Sequence, residues 1–126
     1  MKTPILSIVI GEGGSGGALA LGIGNEVWML ENAVYSILTP EGYASILWRD
    51  NSKAPEAARL MKLEANDLYK MDIIDRIIQE KEPITKNDMK KVCTVLERHI
   101  SNFLIRYSKK TTTYIVNERY QKFRKY

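Results

Sequence analysis

This chain is poor in the residues that carry most metal and redox chemistry: it has one cysteine, Cys93, and one histidine, His99, among 126 residues. A single cysteine excludes an internal disulfide and a cysteine-rich zinc site, so no metal site is expected. Cys93 is expected as a small buried residue on a helix. Only one imidazole exists to act as a general base. Long apolar runs are also missing. None approaches the roughly 20 residues of a membrane helix. Met1, Lys2, Thr3 and Pro4 lead straight into a strand-like run rather than a signal peptide, so a cytoplasmic protein without a membrane partner is expected.

Acidic residues are outnumbered, with a net charge of +4, and the surplus lies toward the C-terminus. Residues 1–47 hold one basic and four acidic side chains, and residues 48–126 hold eighteen and eleven. Because the basic residues are interspersed with acidic ones, they read as a solvated face rather than a nucleic-acid interface. The length and the 44% hydrophobic content suit one domain with its own core.

Residues 5–30 organise the rest. The apolar run Ile5, Leu6, Ser7, Ile8, Val9, Ile10 reads as a strand buried on both faces, in a parallel or mixed sheet. Five glycines follow between Gly11 and Gly17, then small apolar residues to Leu21, which predicts strand, turn and helix. Glycine permits sharp turns, positive φ and close approach of backbone N–H groups to a bound atom. At a helix start such N–H groups have no intrahelical acceptor.

Three chemistries fit. Gly11, Gly13 and Gly16 spell G-x-G-x-x-G, and Glu31 stands at the end of the next apolar run, as in dinucleotide binding; the helix before Gly22 and Gly24 would, however, have only about two turns, short for a crossover. Gly13, Gly14, Ser15, Gly16 and Gly17 match the G-x-S-x-G turn of a serine nucleophile. The third is a backbone oxyanion hole at Gly16, Gly17 and Ala18 that needs no nucleophilic side chain. A closely packed glycine turn without chemistry is the structural alternative.

Further along, residues 27–30 and 34–38 read as short strands. Thr39, Pro40 and Glu41 start a helix running to Trp48, with Thr39 as cap and Glu41 against the positive helix end. Glu41 is also a candidate site residue because it stands at a strand-to-helix turn. Short helices are expected over 54–61 and 65–70, a brief strand over 73–78 and a loop over 79–84. Thr85 and Asp88 then open a long amphipathic helix with Met89, Val92, Cys93, Leu96, Ile100, Phe103, Leu104 and Tyr107 along one stripe and His99 beside it. A second helix spans 114–123. Two such helices after an α/β unit suggest subunit contact. The division expected is a core over 1–84 and a helical extension over 85–126 for that contact, with homo-oligomer contacts as one form of it.

The residues Val9 to Gly22, followed by Met29-Leu30-Glu31, Tyr35-Ser36, Pro40-Glu41-Gly42, residues 44–48, residues 53–58, Ile73-Ile74-Asp75 and residues 119–124, closely resemble the carboxyltransferase alpha subunit of multi-subunit acetyl-CoA carboxylase. That family is part of the crotonase-like superfamily. The resemblance covers nearly the whole chain and corresponds to the C-terminal half of the family's length. It implies an α/β crotonase-like fold with a small mixed sheet flanked by helices. It implies transfer of a carboxyl group from carboxybiotin, held on a biotin carboxyl carrier protein, to acetyl-CoA, giving malonyl-CoA for fatty-acid synthesis within an ATP-dependent complex. The implied partner is a beta subunit that bears the zinc module. Oxyanion donors would fall at Gly16, Gly17 and Ala18, with Gly13, Gly14, Ser15, Glu41 and Gly42 binding substrate and biotin assigned to the glycine loop. A non-catalytic interaction fragment is the alternative. Tyr43 stands where the resemblance implies a small residue, and residues 79–84 lack the implied Gly-Gly-Ala-His.

Overall fold

The computed structural model describes residues 1–80 and 85–125. The rest of the 79–84 loop lies outside the described residues. Strands β1 (Leu6–Val9), β3 (Glu26–Leu30) and β5 (Arg76–Ile78) form one sheet in the order β1-β3-β5. Strands β2 (Glu12–Gly14) and β4 (Val34–Ser36) form a second. Every strand pair is parallel, with Leu6 opposite Glu26, Trp28 opposite Arg76 and Gly13 opposite Tyr35. The expected small mixed sheet is therefore two small parallel ones, with one isolated antiparallel bridge between Val34 and Glu64. Helical crossovers account for this: α1 (Ser15–Leu21) precedes β3, and α2 (Pro40–Trp48), α3 (Ala54–Met61) and α4 (Ala65–Lys70) lie between β4 and β5.

The strand buried on both faces is β3, where all five residues are buried. β1 is only half-buried along its length, which corrects the expectation for that run. It is a sheet edge, paired on one side by β3.

The helix starts follow the cap chemistry read from sequence. Thr39 accepts the Gly42 amide at 3.1 Å, with Pro40 in the first turn. Thr85 and Asp88 form a reciprocal capping box at the start of α5 (Lys86–Ser108). Thr111 caps α6 (Thr112–Phe123) by accepting the Tyr114 amide. This cap starts α6 ahead of the predicted residue 114.

One hydrophobic cluster joins Val27, Trp28, Met29 and Leu30 of β3 to Leu68, Ile78, Val92, Phe103, Tyr107 and Ile115. Residues on both sides of position 84/85 thus share a core, and the inward part of the α5 stripe covers β3 of the same chain. Cys93 is exposed rather than buried. It directly follows inward-facing Val92, and one helical residue turns a side chain by about 100°. Met89 and Leu104 lie on the rim, 45% and 57% exposed.

A polar hub locks this side. Asn25, 4% exposed, accepts from the Ile5 amide at 3.2 Å and from the Arg119 guanidinium at 2.9 and 3.1 Å. Its amide donates to the Ile115 carbonyl and to Glu118. Glu118 also accepts from Tyr107 and pairs with Lys110 at 2.6 Å. Burial pushes the Glu118 carboxyl upward, but the bonds from Lys110, Tyr107 and Asn25 outweigh it and hold Glu118 below the usual range. Burial and the Glu118 bond together push the Tyr107 hydroxyl well above its ordinary value. No helix among the described residues is long and apolar enough to cross a membrane.

Candidate functional site

The glycine stretch forms β2, a turn at Gly14 and Ser15, and the seven-residue α1. No glycine has a positive φ; the left-handed position falls instead on Ser15, at a φ of 60°. That corrects the expectation that glycine would supply it. The conformation costs an L-residue about 1–2 kcal/mol.

The glycines divide by what a Cβ would meet. At Gly13 it would lie 3.0 Å from the Tyr35 ring and 3.1 Å from Val9. At Gly22 it would lie 2.2 Å from the Tyr35 hydroxyl. Gly22 is therefore blocked unless Tyr35 moves, and Gly13 is tight, as is Gly24, where a Cβ would lie 3.0 Å from the Ile5 carbonyl. At Gly11, Gly14, Gly16 and Gly17 a Cβ would meet nothing within 4 Å. Neither backbone angle nor packing within the described residues demands glycine there.

Tyr35 fastens this loop from below. Its hydroxyl donates to the Ala18 carbonyl at 3.0 Å, and the same carbonyl accepts the Gly22 amide at 2.9 Å. Burial raises the Tyr35 hydroxyl above its ordinary value, so it stays a donor. Gly14, the N-cap, offers no side-chain cap. By helix geometry the N–H groups of Gly16 and Gly17 precede the intrahelical ladder, whereas Ala18, four residues past the cap, donates into it. Ala18 is itself buried. At this start the N–H groups without an intrahelical acceptor include those of Gly16 and Gly17 and not that of Ala18. The sequence reading gave Tyr35 no role, because its pairing with the glycine loop depends on β2 lying beside β4, a contact no local pattern encodes.

Ser15 is exposed, and its hydroxyl has no hydrogen-bond partner among the described residues. His99 is not available to it. Val27 lines a cavity of about 540 Å³ with Ala18 and Tyr35, whereas Trp28, one residue on, packs edge-on against His99 at 6.1 Å and Phe103 at 6.2 Å. Successive strand residues point to opposite faces, so Ser15 and His99 lie on opposite sides of the sheet. Burial, followed by the charges of Arg76 and Arg98, pushes the His99 imidazole below its ordinary value.

The dinucleotide pattern separates likewise. Glu31 at the end of β3 accepts the Glu80 amide at 3.0 Å, and Glu80 in turn accepts the Asn32 amide. Its carboxylate is engaged in joining β3 to the chain after β5. Gly13 sits in the other sheet, in β2, and Gly16 in α1.

Glu41 is exposed in the first turn of α2. The Gly42 amide is taken by Thr39 and is not free to bind substrate. Tyr43 lines an apolar cavity of about 800 Å³ together with Leu19, Tyr35, Leu38, Met71 and Phe123, and stacks edge-on against Trp48. A larger residue at this position narrows that space. Among the described residues no group of three His, Cys, Asp or Glu is placed to hold a metal ion.

The fold is shared with solved structures at low identity. A chain of a Pseudomonas malonate decarboxylase hetero-tetramer matches with a TM-score of 0.58 and 19% identity, over 79% of this chain and 41% of that one. The transcarboxylase 12S core matches at 0.60 and 19%, over 85% and 20%. These likenesses are to α/β folds of the crotonase-like class. Sequence relatives are much nearer. The acetyl-coenzyme A carboxylase carboxyl transferase subunit alpha of Streptococcus pneumoniae strain CGSP14 is 50% identical over all of this chain and 48% of its own length. The subunits beta/alpha protein of Natranaerobius thermophilus is 52% identical over 98% of this chain and 20% of its own. The chain thus spans about half, or less, of the relatives it matches. The model of the acetyl co-enzyme A carboxylase carboxyltransferase-like family matches residues 1–126, and the chain belongs to that family.

Proposed function

We propose that this chain supplies the glycine-loop half of an acetyl-CoA carboxylase carboxyltransferase site. Together with a beta subunit it passes a carboxyl group from carboxybiotin, on a biotin carboxyl carrier protein, to acetyl-CoA, giving malonyl-CoA. The observation that carries this reading is the open row at Gly14, Gly16 and Gly17, beside helix-start N–H groups that have no intrahelical acceptor.

The residues present fit such a group: the space a Cβ would fill at these positions is free, and the helix start beside it has no side-chain cap. Carboxybiotin supplies a carboxyl group already activated for transfer. The Gly16 and Gly17 amides would donate to the carbonyl oxygen of biotin, which we assign to this loop, the thioester oxygen being assigned to the partner's loop. Their contribution is electrostatic and preorganised, because Tyr35 and the β2–β4 pairing fix the loop before substrate arrives. The exposed apolar residues of α1 and α2, including Leu19, Leu21, Ile46 and Leu47, suit the subunit contact such a shared site requires. Exposed Leu104 and Ile105 on α5 suit the contact expected of the helical extension.

The test is malonyl-CoA formation in the assembled alpha–beta complex. Gly17→Val should lower the rate by about 10²- to 10³-fold or more, while Ser15→Ala retains activity and an active-site serine reagent leaves the protein unlabelled. Full activity in Gly17→Val, with a sizing profile showing the complex intact, would overturn the oxyanion-hole reading. Binding of NAD, weakened by Glu31→Gln, would restore the dinucleotide reading.

A further inference from the structure

On the opposite side of β3 from the glycine loop, a polar cleft of about 560 Å³ opens between β5 and the α5–α6 pair. Three carboxylates line it, and each already has a cation. Glu26 pairs with Arg106 at 2.6 Å, Asp75 with Lys122, and Glu118 with Lys110. Two further cations in its wall, Arg76 and Lys125, form no ion pair with any described residue.

Arg76 is the informative one. Its guanidinium lies over the Trp28 ring at 5.3 Å, which satisfies its face. Stacking leaves the N–H donors in the guanidinium plane pointing sideways. Its Nε is shielded from solvent and has no hydrogen-bond partner among the described residues, an unpaired donor that costs free energy as it stands.

We propose that this cleft binds a small phosphate-class dianion through the Arg76 guanidinium, with Lys125 as the second charge. The planar fork of arginine matches such an oxyanion. Two spare cations beside three neutralised carboxylates favour a dianion over a monocarboxylate. Gln121, Asn117 and Tyr114, also in the wall, offer neutral donors. The site is separate from the glycine loop and does not depend on carboxyl transfer.

Trp28 under Arg76 supplies the readout. Inorganic phosphate is titrated into the full chain at constant ionic strength, with chloride as the control and emission followed in a Trp48→Phe background so that only Trp28 reports. The expected result is a saturable change with a Kd on the order of 1 mM. Arg76→Gln should weaken it by about tenfold or more, and Lys125→Gln by less, with the circular dichroism spectrum unchanged. Should Arg76→Gln fail to fold, Arg76→Lys, which keeps the charge but loses the fork, should weaken binding in the same direction. No saturable change beyond chloride, equal binding in the Arg76 variants, or acetate binding as tightly as phosphate would each overturn the proposal.

Discussion

The two faces of β3 solve different problems. Toward α5 and α6, Trp28 meets Phe103 and His99 edge-on, Asn25 and Glu118 bind across the helices, and the polar groups are paired almost throughout. Toward α1, Ala18 is the one buried residue of its helix, and Leu19 and Leu21 stand 54% and 70% exposed. One face holds the chain together. The other leaves backbone and apolar side chains exposed. Within the second face a further division runs through the glycines, separating Gly13 and Gly22, which Tyr35 crowds, from Gly16 and Gly17, which nothing crowds.

The sharpest way to break the comparison is at its stable side. Trp28 is fully buried and takes both ring contacts. Trp28→Ala should cost about 3–5 kcal/mol, read as a lowered urea midpoint, and could leave the chain unfolded. A loss below about 1 kcal/mol would show that the α5–β3 face is not the structural core.

The next largest effect lies where the two kinds of glycine meet. Gly22→Ala would force a methyl against the Tyr35 hydroxyl and should cost about 1–3 kcal/mol through overpacking. Tyr35→Phe removes the atom in conflict, at the loss of its bond to the Ala18 carbonyl. The double variant should therefore be more stable than the sum of the two single losses predicts. Strict additivity would show that Tyr35 does not set the requirement for glycine at position 22.

Much of this was legible in the chain. Thr39 with Pro40 and Thr85 with Asp88 follow from cap residues, because those signals act within a few residues, whereas α3 and α4 start without a side-chain cap. The family was legible too, from short motifs spread over nearly all of the chain. Non-local facts were not. Periodicity could not say that β3 rather than β1 would be the strand buried on both faces, since both runs are apolar and β3's central place in the sheet, with α5 and α6 packed on it, decides. It could not assign Cys93 to the outside, one residue beyond Val92 on a helix whose stripe is broad. Nor could local pattern show that Glu31 would accept the Glu80 amide, beside the sheet that β2 does not join.

The smallest stability effect carries the most information about the site. A glycine kept for packing or for positive φ loses stability when it becomes alanine; one kept to let an outside group approach does not. At Gly17 the φ is not positive and a Cβ meets nothing within 4 Å, and alanine is the better helix former by up to about 1 kcal/mol. Gly17→Ala should therefore unfold within about 0.5 kcal/mol of the parent, or later, in urea. Carboxyl transfer in the assembled complex should nevertheless fall, because the methyl occupies the space in front of the donor. Gly22→Ala gives the reverse pattern, a large stability loss that precedes any effect on transfer. If Gly17→Ala instead lost more than about 1 kcal/mol and kept full activity, the open glycines would be structural and the outward face of α1 would have no claim to chemistry.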